Sequence, residues 1–395
     1  MVFGPMGDRI GRKKVLALTM IMMAIGTCAI GLIPSYAAIG FWAPVLLILF
    51  RLVQGFSTGG EYGGASTFIA EYAPDERRGF YGSFLELGTL AGYVGAAGLV
   101  TLLTSLLGSG GMESWGWRVP FLVAGPLGLV GLHLRLRLRL DETPAFRKLE
   151  DESLHRASDT ASAVETTAKG DLAKIFRDYW PTPILCICLV GAYNIADCML
   201  LSYMPTYLSD EMGYSETHGL LVLIATMAVL MLIINQVGRL CDRLGRKPLL
   251  MAGMIGFLVL SLPAFLLVRQ GSLVAVSAAM LMLGLSMVCL LGTMSATLPA
   301  RFPTQVRYGS LSVGDNLSAS LFGGTTPLVI TALISVTGSE LMPAHYVMAA
   351  AVVGVIAVAC LKETAGQPLA GSPPSVATPE EAARMVEDQA PAPRF

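Results

Sequence analysis

The sequence predicts an all-α membrane protein built from two related bundles of helices. Only 14% of the 395 residues are charged and the mean hydropathy is +0.63, whereas a soluble domain usually has about 25% charged residues. Apolar segments long enough to cross a bilayer recur along the chain, and one charged motif occurs twice. These observations indicate a protein that crosses the membrane many times and arose by internal duplication.

The duplication is visible in the motif G-x-x-x-D-R-x-G-R-K-x-x-L. Its first copy occupies residues 4–16 and its second copy begins at Gly238. Weaker matches follow in the same order, 74–79 with 303–309 and 141–144 with 362–365. A spacing of more than half the chain is too long for a solenoid repeat, so it indicates two homologous halves.

Ten segments have the length of about 20 mostly apolar residues that a membrane helix needs. They are 15–34, 43–72, 80–107, 118–138, 181–208, 217–238, 248–268, 272–299, 309–337 and 343–361. Glycine is frequent in them, as membrane helices tolerate. The run 59–65 and the series Gly88, Gly92 and Gly95 are therefore predicted to let helices pack closely.

Lysine and arginine indicate the orientation, because they are concentrated in cytoplasmic loops. All 27 of them except Arg51, Arg118 and Arg269 fall in loops, termini or helix ends on one side of the predicted spans. We therefore expect a multi-pass protein of the cell inner (plasma) membrane, embedded in the lipid bilayer, with a cytoplasmic C-terminal tail. The net charge of −1 argues against a nucleic-acid partner.

The predicted domain organisation follows from the spans. Residues 1–138 form an N-terminal bundle of about four helices, 139–180 a cytoplasmic linker loop, 181–361 a C-terminal bundle of six helices, and 362–395 a disordered cytoplasmic tail. Two helices precede the motif in the second half and none in the first. By symmetry we expect a six-plus-six ancestral layout, of which the first two helices are missing from the sequence as given.

Several further segments carry a family resemblance. They are 51–62, 68–74, 115–121, 142–144, 199–208, 214–219 and 296–303. With the doubled D-R-x-G-R-K loop, they make the sequence resemble the major facilitator superfamily (MFS) and, within it, the metabolite:proton symporter family. The resemblance extends from residue 1 to about 369, although the family's first helix and the C-terminal coiled coil of some members are absent.

The resemblance implies the MFS fold of two pseudo-symmetric helical bundles and a secondary active transporter. It implies proton-coupled symport of a small zwitterionic osmolyte such as proline or glycine betaine, by alternating access. The alternatives are a proton symporter of a small organic acid of the 2-oxoglutarate, citrate or shikimate type, and a transport-dead, N-terminally truncated fragment. The oligomeric state stays open.

The resemblance also implies that the two loops form a charge network that latches the cytoplasmic side. Its members would be Gly4, Asp8, Arg9, Gly11, Arg12 and Lys13, then Asp242, Arg243, Gly245, Arg246 and Lys247, with Glu71 as a partner. The alternative interpretation is a set of positive-inside residues that only fix the topology.

Ionisable residues inside membrane spans usually face a cavity or a partner, because charge in the bilayer is costly. Arg51 matches a superfamily motif associated with proton coupling, although an arginine near a helix end could also extend to the interface. Glu61 lies mid-span and could carry a proton or form a structural ion pair. Glu86, Asp197 and Asp315 are further candidates.

A quaternary ammonium substrate would favour aromatic contacts. Tyr62, Tyr203 and Tyr207 are the predicted substrate-binding residues, with Tyr193 on the same helix as the last two. The alternative for each is ordinary packing. No phosphate-binding loop, metal site or nucleophile–base pair is present in the sequence, so we expect no enzyme activity and no cofactor.

Overall fold

The structure, a computed structural model, describes residues 6, 12–137, 181–304, 306–370 and 375. Within these ranges all regular secondary structure is helical. The first copy of the motif lies largely outside the described residues, and so do the predicted linker loop and most of the predicted tail.

The first half contributes α1 (Arg12–Gly31), α2 (Tyr36–Ile39), α3 (Trp42–Tyr72), α4 (Arg78–Gly111) and α5 (Arg118–Arg137). The second half contributes α6 (Pro181–Asp197), α7 (Met204–Asp210), α8 (Glu216–Leu244), α9 (Arg246–Val268), α10 (Leu273–Thr297), α11 (Arg307–Ser318), α12 (Thr326–Thr337) and α13 (Met342–Cys360). One π-helical stretch (Cys198–Tyr203) joins α6 to α7 and another (Ala319–Gly323) follows α11.

All ten predicted spans are helical, so the prediction of element type is confirmed. Nine helices in the described part of the chain are long and apolar enough to cross a membrane. The α6–α7 pair and the α11–α12 pair each count as one crossing. The tenth predicted span is α5, which is helical over Arg118–Arg137 and is not among the nine.

The helices run alternately between two ends of the molecule. We call the end that carries residues 73–77, 244–246, 298–306 and 361–370 the loop end. Within the first half α1 packs between α3 and α5, and within the second half α9 packs against α10 and α13. The two halves meet where α4 contacts α8 and α10, and where α3 contacts α11.

Small residues allow the close contact of α3 with α11. A Cβ added at Gly63 would lie 2.5 Å from Ser312 Oγ, and one at Gly64 would lie 2.9 Å from Tyr308 Oη. The predicted role of the run 59–65 in close packing is confirmed. It fits the rule that small residues bring membrane helices together.

The structure corrects the prediction for the glycine series in α4. Leu90 belongs to the hydrophobic core of the second half, and Leu87 packs against it, so this face of α4 makes the contact. Gly88, Gly92 and Gly95 lie on another face, where an added Cβ would meet no described atom within 4 Å. The prediction that these three glycines pack closely is therefore wrong for the part of the chain described, because a helix presents only one face to a neighbour.

Candidate functional site

At the loop end, a carboxylate from the second half caps a helix of the first half. Asp242 accepts hydrogen bonds from the backbone N–H of Gly79 at 2.6 Å and of Phe80 at 2.8 Å. The first N–H groups of a helix have no partner within the helix, and a negative charge there is favoured by the helix dipole. The aspartate of the repeated motif therefore holds the start of α4 against the second half.

The same contact explains why residues 79 and 238 are both glycine. A Cβ at Gly79 would lie 2.6 Å from Asp242 Oδ1 and 2.7 Å from the carbonyl oxygen of Gly238. A Cβ at Gly238 would lie 2.7 Å from the carbonyl oxygen of Gly79. Glycine at both positions lets the two backbones approach closely enough for Asp242 to reach its donors.

A buried ion pair also joins the halves. Glu71 in α3 and Arg307 at the start of α11 are 2.6 Å apart, and each side chain is 0% exposed. Arg307 Nε also donates to the carbonyl oxygens of Pro299 at 3.0 Å and Phe302 at 3.1 Å. We predicted Glu71 as a partner in the charge network but did not identify Arg307. The match of 74–79 with 303–309 was the signal that could have found it.

Arg78 occupies the position in the first half that corresponds to Arg307. It forms an ion pair with Asp75 and donates through Nε to the carbonyl oxygen of Ala70 at 3.1 Å. Its side chain is 1% exposed. The internal repeat therefore places one buried arginine at the loop end of each half.

The rest of the second motif contacts the segment after α13. Gly245 has φ of 100°, and a Cβ there would lie 2.7 Å from Glu363 Oε2. Lys247 N–H donates to that oxygen at 2.9 Å, and Arg246 Nη1 donates to Thr364 Oγ1 at 2.7 Å. Partial burial raises the pKa of Glu363, but the N–H donors around its carboxylate outweigh that effect and hold the pKa below its usual value.

Some predicted latch residues take no part that the structure describes. Arg243 is exposed at the rim of the loop end. Only the backbone of Arg12 and Lys13 is described, at the start of α1. The other members of the first copy, Gly4, Asp8, Arg9 and Gly11, lie outside the described residues. The roles of all seven stay predictions.

Inside the membrane region, a hydrogen bond joins α3 to a buried carboxylate of α4. Tyr62 donates through its hydroxyl to Glu86 Oε1 at 2.8 Å, and Glu86 is 1% exposed. Asp197 and Asp315 lie within electrostatic range of Glu86. Three acidic residues from α4, α6 and α11 therefore lie within electrostatic range of one another, an arrangement that chain order alone does not reveal.

The two residues predicted for proton coupling, Arg51 and Glu61, also lie on α3. Arg51 is exposed and donates to Gln54 Oε1 at 3.1 Å. Glu61 lies on the same face of α3 as Gln54 and Thr58, which contact Thr27 and Met23 of α1. The roles of Arg51 and Glu61 stay predictions, since their positions neither require nor exclude them.

Of the predicted aromatic residues, Tyr62 donates a hydrogen bond to Glu86, and Tyr193 lies within electrostatic range of Asp197, Glu86 and Asp315. Tyr207 is 0% exposed, packs edge-on against Phe265 at 5.5 Å and donates to the Glu340 carbonyl oxygen at 2.9 Å. The ring of Tyr203 is 6.1 Å from that of Tyr207. Both rings lie in the packed core of the second half, and their predicted substrate contact is not supported by this burial.

Comparison with known proteins is consistent with this architecture. A sequence model of the Major Facilitator Superfamily matches residues 1–324. The chain is 44% identical over 384 residues to the proline/betaine transporter of Escherichia coli (strain K12), covering 97% of this chain and 76% of that protein. It is 43% identical over 386 residues to a glycine betaine/proline/ectoine/pipecolic acid transporter of Dickeya dadantii, with 98% and 76% covered.

A third relative is the ectoine/proline transporter of Corynebacterium glutamicum, 41% identical over 393 residues, with 98% of this chain and 77% of that protein covered. Among solved structures, the proton:xylose symporter XylE bound to a bromo-deoxyglucose superposes with a TM-score of 0.73 at 17% identity, covering 93% of this chain and 85% of that one. The fold and the family match agree, and the chain belongs to the Major Facilitator Superfamily.

Proposed function

We propose that this protein is a secondary active transporter that takes up small zwitterionic osmolytes of the proline and betaine kind together with protons. The observation that carries this proposal is the 41–44% identity, over 97–98% of the chain, to relatives named as transporters of these compounds. Two bundles that meet around a buried polar group suit alternating access, in which one bundle rocks against the other. The organic-acid and fragment alternatives have no such support.

The loop end is the cytoplasmic end in this proposal, because most basic residues of the described part of the chain lie there. Asp242 and the Glu71–Arg307 pair then hold the cytoplasmic side closed. The contact sets the conformation in which a substrate would enter from outside, and breaking it would open the path inward. We also propose that the protein lies in the inner membrane with its C-terminal tail in the cytoplasm.

Glu86 is the carboxylate we propose for proton coupling, alongside Glu61. It is buried between the halves, it accepts a hydrogen bond from Tyr62, and it has other acidic groups nearby. A charge in that position is costly, so gaining or losing a proton there changes which arrangement of the halves is favoured. Tyr62 offers an aromatic face beside it for a substrate ammonium group.

Uptake into proteoliposomes tests the proposal. The purified protein is reconstituted, a pH gradient with an acidic exterior is imposed, and labelled glycine betaine, proline and 2-oxoglutarate are compared. We expect gradient-driven accumulation of the first two and none of the third. Accumulation of 2-oxoglutarate alone would support an organic-acid symporter, and no transport of any of them would contradict the proposed activity.

Two variants identify the proton-coupling carboxylate in the same assay. Glu86→Gln should abolish gradient-driven accumulation and keep exchange of labelled for unlabelled substrate, since exchange needs no net proton movement. Glu61→Gln is the competing variant, and Glu113→Gln, which changes an exposed carboxylate at the far end, is the control. If only Glu61→Gln uncouples transport, the role belongs to Glu61.

A further inference from the structure

A segment without regular structure follows α13 and lies across the loop end of both halves. We call its described part, residues 361–370 and Ser375, the strap. It begins on the second half, where Arg246 of α9 donates to Thr364 Oγ1. From there the strap continues away from α13 and stays in contact with the loop end. This differs from our prediction that residues 362–395 form a disordered tail.

The strap next contacts both buried arginines in turn. Arg78 of the first half donates through Nη1 to the carbonyl oxygen of Gln367 at 3.2 Å. Arg307 of the second half donates through Nη2 to the carbonyl oxygen of Ala370 at 2.8 Å. Two acceptors only three residues apart in the chain are therefore used by arginines from different bundles.

Further contacts fix the strap beyond these points. The N–H and hydroxyl groups of Thr304 both lie 3.1 Å from the Ala370 carbonyl oxygen and donate to it. Leu369 is 4% exposed. Asp75 N–H donates to the Ser375 carbonyl oxygen at 3.0 Å, and Ser375 N–H donates back to Asp75 Oδ2 at 3.1 Å.

The internal symmetry makes this arrangement informative. Arg78 and Arg307 are equivalent in the two halves and are 1% and 0% exposed. Each directs its other donors to residues at the same end, and each directs one N–H to the strap. A buried donor without an acceptor is costly, so the strap supplies an acceptor that both halves need. Within the described residues, this one segment therefore accepts hydrogen bonds from both arginines.

We propose that the strap is a fastener that ties the two bundles together at the loop end and must release Arg78 and Asp75 before that end can open. A short segment anchored to α9 cannot follow both halves when they separate. The first-half contacts are therefore the ones that break. This inference rests on the proposed alternating-access mechanism, and it adds a conformational step that the repeated motifs alone do not contain.

Hydrogen–deuterium exchange on two shortened forms of the reconstituted protein tests the strap. One form ends after Glu363 and lacks the acceptors for both arginines. The control form ends after Ser375 and keeps every described strap contact. Exchange in the first turns of α4 (78–84) and α11 (307–312) reports opening of the loop end. We expect about tenfold faster exchange in the first form, equivalent to about 1.4 kcal/mol, and full-length behaviour in the control.

Equal exchange in both forms would overturn the proposal. If the form ending after Glu363 does not fold, Leu369→Ala in the full chain weakens the docking of the strap without touching either arginine. It should accelerate exchange at 78–84 in the same direction, and unchanged exchange would again contradict a fastening role. Substrate uptake is measured in parallel. Loss of uptake in every form would count against the transport proposal, whereas the exchange result alone decides the strap.

Discussion

Replacing Glu71 by glutamine should shift the protein towards a state in which the loop end is open. Glu71 and Arg307 are 2.6 Å apart with both side chains fully buried. Removing one partner of a buried ion pair leaves an uncompensated charge and costs about 3–5 kcal/mol. Glutamine keeps one acceptor oxygen, so we take the lower end, about 3 kcal/mol, which is about a hundredfold change in an equilibrium constant.

The direction follows from solvation. In the closed state Arg307 stays buried, whereas opening the loop end admits water to its guanidinium. The cost therefore falls mainly on the closed state, and the open population should rise by up to about a hundredfold. Ser66 is a suitable reporter, because it is 2% exposed and its hydroxyl donates to the Ser295 carbonyl oxygen of the other half.

The assay is the labelling rate of a cysteine at position 66 by a water-soluble maleimide, in a protein whose seven native cysteines have been replaced. Glu71→Gln should increase the rate strongly. Glu76→Gln is the matched control, since Glu76 is the same residue type at the same end but is exposed. Equal labelling rates for the two variants would refute the reasoning, because they would show that the pair does not hold the closed state.

Three other predictions concern single contacts. Gly79→Ala would place a Cβ 2.6 Å from Asp242 Oδ1 and should lower the thermal unfolding midpoint, because overpacking costs about 1–3 kcal/mol. The control Gly88→Ala, with no described atom within 4 Å of the added Cβ, should leave the midpoint unchanged. Equal effects of the two variants would contradict the close approach of the helices at Gly79. Glu363→Gln should lower the midpoint at pH 7. The N–H donors lower the pKa of Glu363, so its stabilising effect is full above the usual carboxyl value of about 4.3 and is lost as the pH falls from there through the lowered pKa. A difference between variant and wild type that stays constant over that whole fall in pH would contradict this. Tyr62→Phe should reduce substrate uptake about tenfold through the loss of one hydrogen bond to a charged group, and uptake equal to wild type would show that its hydroxyl is dispensable.

The membrane helices could be predicted from the sequence because their determinants are local. A span such as α10 (Leu273–Thr297) is set by the length of an apolar run, and its ends are set by polar residues. The duplicated motif likewise gave the two-half architecture and the importance of Asp242. What the motif did not give was the target of Asp242, which is the pair of backbone N–H groups at the start of α4.

The site residues were harder because partners come from distant parts of the chain. Arg307 was overlooked, since only its place in a weak repeat marked it, and Glu71 is 236 residues away in sequence. From the sequence, Glu86 is a weaker candidate for proton coupling than Arg51 or Glu61, because the sequence cannot show that Tyr62 donates to its carboxylate. Residue type and depth in the membrane limit the candidates, but they do not say which side chains meet.

By itself the sequence determined the membrane class, the succession of helices and the doubled motif, because hydrophobic length and repeated letters are properties of the chain alone. Only the tertiary structure decided that Glu71 meets Arg307, that Glu86 has Tyr62 beside it, and that the segment after α13 lies across both bundles. The physical reason is that ion pairs and hydrogen bonds depend on approach to within about 3 Å. Such approach is fixed by the packing of helices whose order in space differs from their order in the chain.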